Sequence, residues 1–303
     1  ALLLMRSGYT HNQSLVTHSL PATVVAGSKS ALFAQILLNA TSASADSKVS
    51  SLMLLLDAPE DNSQKGLFNC KLLDEGVALT EGMNPVPSKN NTTQVLFPFT
   101  NPLVISKGTY KILALTCDAA KEPEGYAVYT WRLGAIPGKK ILLIPSGSFV
   151  VEVANSSPAA RKVKGGSMGE IATIFDFYAA DEPVQLQMLA LQIDGNPRAA
   201  AAYSLWDGAM QVGGGTLSGD AVFKTAFTAP FIVPRDAHKS LVVKIDLLLV
   251  GGHVQEGDSV AINFDGSSNN FHLTYGTGVT SGRGIIPSTQ ADTDAPALTI
   301  LRN

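Results

Sequence analysis

The chain has 303 residues, 45% of them hydrophobic and 16% charged, and its formal net charge is −3. So apolar a chain can bury enough surface to offset its ordering entropy, which argues against disorder. It has no basic run that could neutralise phosphates, so we expect no nucleic-acid partner. Its longest apolar runs, residues 52–56 and 245–250, are far shorter than the roughly 18 residues that span a bilayer, so we expect no membrane span.

The chain opens with an apolar segment that is too short for an anchor helix. Leu2, Leu3, Leu4 and Met5 follow one another without a charge. Four large apolar side chains in a row are costly to leave in water. We therefore predict that residues 1–8 form a terminal strand that finds a partner.

The pattern after this segment is that of short strands. Apolar and polar residues alternate at 222–228, and the apolar runs 171–178 and 241–247 are typical of buried strands. Asp-Gly and Gly-rich turn signals separate such runs, for example at 207–208 and 213–215. Helical periodicity is nearly absent. Many short strands at this spacing predict a sandwich or barrel, not alternating strands and helices.

An internal repeat divides the chain. Two pairs of matching blocks, 2–8 with 141–147 and 19–22 with 156–159, share one offset to within a couple of residues. The resemblance continues in 69–76 with 202–208 and in 105–112 with 233–243. A third, partial copy begins near the C-terminus, where 284–288 resembles 142–146 and 297–303 resembles 148–155. The repeat predicts an N-terminal strand extension (1–8), a β-sandwich (9–147), a second copy of it (148–289), and a linker with a C-terminal strand (290–303).

Both cysteines lie in predicted strands of the first half. Cys70 and Cys117 are either a disulfide, as expected of an extracellular protein, or two buried thiols. The two alternatives stay open, because a bridge depends on a Cα separation that the sequence does not contain.

Several segments of the second half resemble repeats of large secreted bacterial surface proteins. The segments are 175–180, 184–191, 205–208 and 241–247. Separately, Asp292-Thr293-Asp294-Ala295-Pro296 before an alternating strand resembles the start of bacterial immunoglobulin-like repeats. The resemblance implies two tandem immunoglobulin-like or jelly-roll-like β-sandwiches with strand-like terminal extensions. It also implies an extracellular, cell-surface location in a stalk, surface layer or fibre.

Residues that could carry chemistry are few. The stretch 165–169 fits G-x-S-x-G, but that nucleophile motif needs a helix after the serine, and here a strand-like run follows. We therefore expect a turn, and a protein that is not an enzyme. Asp292 and Asp294 could hold calcium at a repeat junction, although solvated turn carboxylates are the simpler reading because calcium takes six to eight oxygens. We expect no other cofactor.

Two sequence features bear on sugars: possible glycosylation sites and possible sugar-binding aromatic residues. Glycosylation triplets occur at Asn12, Asn39, Asn90, Asn91 and Asn155. Exposed aromatic residues, which sugar-binding domains usually present, are scarce, since Trp131 and Trp206 are the only tryptophans.

The function we expect is structural. Copies of the chain would join head to tail into an extracellular filament or surface layer, with terminal strands donated to a neighbour's sheet. The assembly strands would be Leu2, Leu3, Leu4 and Met5 at one end and Leu298, Thr299, Ile300 and Leu301 at the other. The alternative is a cell-surface adhesin or glycan-binding module, with surface glycans as its partners.

Overall fold

The computed structural model describes residues 12–17, 19–58, 66–85, 92–121, 126–266, 273–289 and 291–302. Within these ranges the chain forms twenty-two β-strands and one short 3-10 helix, Pro197–Ala199, and no α-helix. The predicted all-β class is confirmed. The chain divides into two compact units, Ala1–Pro145 and Ser146–Asn303.

The first unit contains ten strands in two five-stranded sheets. Their bounds are β1 (Asn12–Val16), β2 (Thr23–Val25), β3 (Ala31–Asn39), β4 (Ser47–Asp57), β5 (Leu67–Asp74), β6 (Val77–Ala78), β7 (Thr92–Ile105), β8 (Tyr110–Ala119), β9 (Ala127–Leu133) and β10 (Ile136–Ile144). One sheet has the order β1-β3-β8-β5-β6 and the other β2-β10-β9-β4-β7. All ladders within the two sheets are antiparallel except β2 with β10, which is parallel.

The second unit contains twelve strands, again in two sheets. Their bounds are β11 (Ser148–Val153), β12 (Arg161–Lys164), β13 (Glu170–Ala180), β14 (Val184–Gly195), β15 (Ala200–Asp207), β16 (Met210–Thr216), β17 (Val222–Val233), β18 (Ala237–Leu247), β19 (Ser259–Phe264), β20 (Tyr275–Gly278), β21 (Gly284–Ile285) and β22 (Leu298–Leu301). One sheet has the order β11-β13-β18-β15-β16. In the other, β12-β22-β19-β14 is extended by β17 along one side of β14 and by the β20–β21 hairpin on its other side.

The two units share one strand order. Each strand from β1 to β9 has a counterpart from β11 to β19 in the same place, and β22 stands where β10 stands. The parallel ladder recurs too, since β12 pairs with β22 as β2 pairs with β10. The β20–β21 hairpin has no counterpart among the described strands of the first unit. Within each unit, alternate apolar side chains of both sheets bury together, so each unit has a core of its own.

The C-terminal strand corrects the sequence prediction. Leu298, Thr299, Ile300 and Leu301 were expected to be free for a neighbour, but they form β22, which pairs with β12 and β19 of the same unit. Leu298 and Ile300 are 1% and 0% exposed. Because their burial completes the core of the second unit, that unit does not end at residue 289. Residues 297–303 resemble β11 in sequence, but they do not occupy an equivalent place in the fold. Leu2, Leu3, Leu4 and Met5, with the extension 1–8, lie outside the described residues.

Candidate assembly site

The G-x-S-x-G stretch forms the turn between β12 and β13. Gly166 and Gly169 have φ values of 81° and 66°, a region that glycine enters without steric cost. Three hydrogen bonds tie the turn to the end of β18: Gly166 N–H donates to Leu248 O (3.1 Å), Leu247 N–H to Ser167 O (2.8 Å), and Gly169 N–H to Asp246 Oδ1 (2.7 Å). The motif therefore lies between two strands, without the helix that a nucleophile elbow needs.

The first unit makes the same three hydrogen bonds. Gly27 N–H donates to Ala120 O (3.0 Å), Ala119 N–H to Ser28 O (2.8 Å), and Ser30 N–H to Asp118 Oδ1 (2.8 Å). These bonds align the two turns residue by residue. Lys29 corresponds to Met168, Ala120 to Leu248, and Lys121 to Leu249.

The aligned positions differ in polarity. In the first unit, Lys29 forms an ion pair with Asp118 (Nζ–Oδ2 3.0 Å) and lies 4.6 Å from the centre of the Phe68 ring. In the second unit, Met168 is 80% exposed, Leu249 64% and Leu248 45%. Beside them lies a hollow of about 390 Å³, lined by Gly166, Arg198, Leu247, Leu248, Leu249, Gly251, His253 and Val254. We call the three exposed side chains and this hollow the apolar end.

In the first unit, the carboxylate beside the turn, Asp118, is stabilised by nearby hydrogen-bond donors. Burial raises the pKa of its carboxyl, but hydrogen bonds from the Ser30 amide, Lys29 and Asn69 outweigh burial and hold the pKa below its usual value. The carboxylate is therefore charged in the folded protein and stabilised by three donors. Its counterpart Asp246 has no equivalent lysine, because Met168 occupies that position.

A second hollow, of about 230 Å³, lies on the β11-β13-β18 sheet. Tyr178, His238 and Asp176 come together there, with His238 Nδ1 2.7 Å from Asp176 Oδ2 and the Tyr178 and His238 ring centres 4.9 Å apart. Glu152 and Val150 complete the lining. Sequence reasoning missed this cluster. The available signal was that these residues occupy alternate positions of neighbouring strands, but only the register shows them to be adjacent.

Cys70 and Cys117 form a disulfide, with Cα atoms 4.0 Å apart. They lie on the neighbouring strands β5 and β8, and both are fully buried. Of the two alternatives left open by the sequence, the structure contains the bridge. Aligning the units places Tyr203 and Ile245 at these positions in the second unit, where they are partners in the β15–β18 ladder.

Asp292 and Asp294, the predicted calcium ligands, are both exposed. Asp292 Oδ1 accepts a hydrogen bond from Gly266 N–H (2.9 Å). Among the described residues, no three His, Cys, Asp or Glu side chains are grouped so as to hold a metal ion.

The glycosylation triplets are placed differently from one another. Asn155 is exposed after β11, whereas Asn39 is half-buried on β3 and its Oδ1 accepts from Thr41 N–H (2.9 Å). Asn12 begins β1, and Asn90 and Asn91 lie outside the described residues. Asn155 is therefore more accessible than Asn39.

Comparisons with known proteins give weak likenesses in fold. No protein-family model matches the chain, and no curated protein matches it. The C-terminal domain of the Streptococcus pyogenes antigen I/II-family protein AspA has 10% identity and a TM-score of 0.27, covering 96% of this chain and 99% of that one. A putative membrane-anchored protein from Corynebacterium diphtheriae has 10% identity and a TM-score of 0.22, covering 97% and 92%.

A third similar structure is BcpA, the major pilin subunit of Bacillus cereus. It has 6% identity and a TM-score of 0.19, and the alignment covers 97% of this chain and 70% of that one. Scores and identities this low carry no argument about function. In the part of the chain that the structure describes, no helix is both long and apolar enough to cross a membrane.

Proposed function

We propose that this protein is a structural, non-enzymatic subunit of an extracellular filament or surface layer, in which copies associate head to tail. The observation that carries the proposal is the apolar end of the second unit. Large apolar side chains clustered in water mark an interaction surface, and in the first unit the positions aligned with Met168 and Leu249 carry Lys29 and Lys121 instead. The fold does not require apolar residues there, so a contact with a partner accounts for them.

The disulfide supports the extracellular location. Such bridges persist in oxidising compartments and are rare in the cytosol, where thiols are kept reduced. Of the two donor strands expected, β22 is engaged within its own unit, so the proposal keeps only the N-terminal segment as a strand or apolar arm that reaches a neighbour.

Self-association of the purified protein tests this function. We expect sedimentation velocity over a hundredfold concentration range to show species that grow beyond dimers, and electron micrographs to show fibres or sheets. A head-to-tail contact is not closed by a two-fold axis, so growth past the dimer is the expected signature. A sharp monomer peak at every concentration would contradict the proposal.

The second candidate function, glycan binding, is favoured by the hollow around Tyr178. An aromatic ring beside Asp176, Glu152 and His238 offers a stacking face with polar groups at its rim. On this hypothesis, a glycan array probed with the protein gives signals that Tyr178→Ala removes. Tyr275→Ala, a change at an exposed tyrosine elsewhere in the same unit, leaves those signals intact. Equal signals from both variants would argue against binding at this hollow.

A further inference from the structure

Two observations describe what the apolar end of the second unit lacks. First, Met168 and Leu249 replace the lysines that cover the aligned positions in the first unit, so two exposed side chains have lost their charges. Second, Asp246 keeps the turn hydrogen bond that Asp118 makes, but not its lysine. The site therefore presents apolar surface together with a carboxylate whose cation is missing.

The N-terminal segment of the chain offers the complementary chemistry. Leu2, Leu3, Leu4 and Met5 are four consecutive large apolar residues, and Arg6 follows them directly. An apolar run would cover Met168, Leu248 and Leu249 and enter the hollow, while the arginine would bring to Asp246 the positive charge that Lys29 supplies to Asp118. A guanidinium suits this role because it can donate two parallel hydrogen bonds to one carboxylate.

We propose that the apolar end of the second unit binds the Leu2–Met5 segment of a second copy, with Arg6 opposite Asp246. This inference rests on the proposed head-to-tail function and names the two surfaces that form its contact. The surfaces are different parts of the chain, so an assembly of any length still presents one free segment at one end and one free apolar end at the other. Growth is therefore open, as a heterologous contact requires.

The test begins with a substitution that the first unit already carries. The variant Met168→Lys/Leu249→Lys places lysines where Lys29 and Lys121 stand, at side chains exposed enough that the fold does not depend on them. We expect its self-association, measured by sedimentation velocity on the full chain, to weaken by roughly tenfold or more, because central apolar anchors dominate interface energies.

A matched control changes exposed apolar residues elsewhere. Val77→Lys/Met210→Lys introduces the same two charges at the aligned hairpin turns β5–β6 and β15–β16, where the side chains are 69% and 49% exposed. This variant should associate like the unmodified protein. An equal loss in both variants would overturn the assigned contact, since any added charge would then suffice. Far-ultraviolet circular dichroism and a thermal melt establish that each variant is folded.

Complementation separates this contact from other modes of assembly. Leu3→Asp/Leu4→Asp blocks the segment and leaves the apolar end intact, so it should be as defective alone as Met168→Lys/Leu249→Lys. Mixed one to one, the two variants retain one intact contact between them and should form dimers that grow no further. A mixture that stays monomeric overturns the inference.

The remaining outcomes tell this inference and the proposed function apart. If Met168→Lys/Leu249→Lys and Leu3→Asp/Leu4→Asp both assemble like the unmodified protein, the assigned contact is wrong and the proposed assembly function stands. If the unmodified protein never assembles, both fail.

Discussion

Asp118 and Asp246 occupy the same place in the two units, but their surroundings differ. Each accepts a hydrogen bond from the turn that follows the second strand of its unit. Asp118 also accepts from Lys29 and Asn69, at 3.0 and 3.2 Å, and its side chain is 9% exposed. A buried carboxylate with three donors should contribute more stability than its counterpart beside Met168.

Asp118→Asn should therefore destabilise the first unit by about 1–3 kcal/mol near neutral pH, because three donors lose a charged, buried acceptor. Since folding lowers the pKa of Asp118, its contribution is present above the ordinary carboxyl pKa of about 3.9 and is lost as the pH falls through the lowered folded-state value. Urea unfolding at a series of pH values should show the difference from the unmodified protein shrinking below about pH 4.

Asp246→Asn is the control for this experiment. It removes the charge from the acceptor of the same turn hydrogen bond in the second unit, where no lysine is paired with the carboxylate, so a smaller loss is expected. Equal losses in the two units would show that the lysine at position 29 adds nothing.

At the scale of elements, β22 has the largest consequence. It lies between β12 and β19, and its two buried side chains belong to the core of the second unit. Removing it would expose core surface and leave the inner edge of β12 without its ladder.

Deletion of residues 297–303 should therefore destabilise the second unit itself. Loss of Leu298 and Ile300 removes about 1.5–3 kcal/mol of burial each, and the unpaired backbone of β12 and β19 adds to that. Hydrogen exchange of backbone amides in 146–296 should accelerate, with those of the first unit unchanged. A truncated protein with normal protection in β12, β18 and β19 would contradict the placement of β22.

Sequence reasoning succeeded where strands are long and failed where they are short. Runs such as β13 and β18 carry enough alternating positions to be recognised, and the matches of 69–76 with 202–208 and of 105–112 with 233–243 agree with the aligned ladders. Strands of four residues are degenerate, so 284–288 was matched to β10, whose counterpart is β22. The parallel partner of β22 lies far away in the sequence, and no local pattern reveals it.

The apolar end also could not be predicted from the sequence. Met168 and Leu249 look like scattered surface residues until the backbone bonds of Gly27 and Gly166 align the two turns. The hollow around Tyr178 depends likewise on the register of β11, β13 and β18. These residues are neighbours because of strand register and backbone hydrogen bonding, which amino-acid composition does not reveal.

At the scale of the whole molecule, the two units differ in what stabilises each of them internally. Cys70 and Cys117 are cross-linked in the first unit, whereas Tyr203 and Ile245 pack at the aligned positions of the second. Each core draws its buried residues from one unit alone.

Replacing both cysteines by alanine should lower the unfolding free energy of the first unit by about 4 kcal/mol, the loop-entropy value for a separation of 47 residues. The second unit has no cysteine, so its transition is the internal control. Calorimetry should show one transition moving down in temperature and the other staying in place. A common shift of both transitions would mean that the units do not unfold independently.

The parallel closing ladder affects the order in which the protein can be made. In the second unit, β12 pairs with β22, so residue 161 can find its partner only after residue 298 has left the ribosome. Until then the sheet is open at one place, and contacts that distant in the chain form slowly. The first unit reaches the same point once β10 has emerged. The first unit can therefore complete its fold before the second unit, whose sheet stays open until β22 has been synthesised.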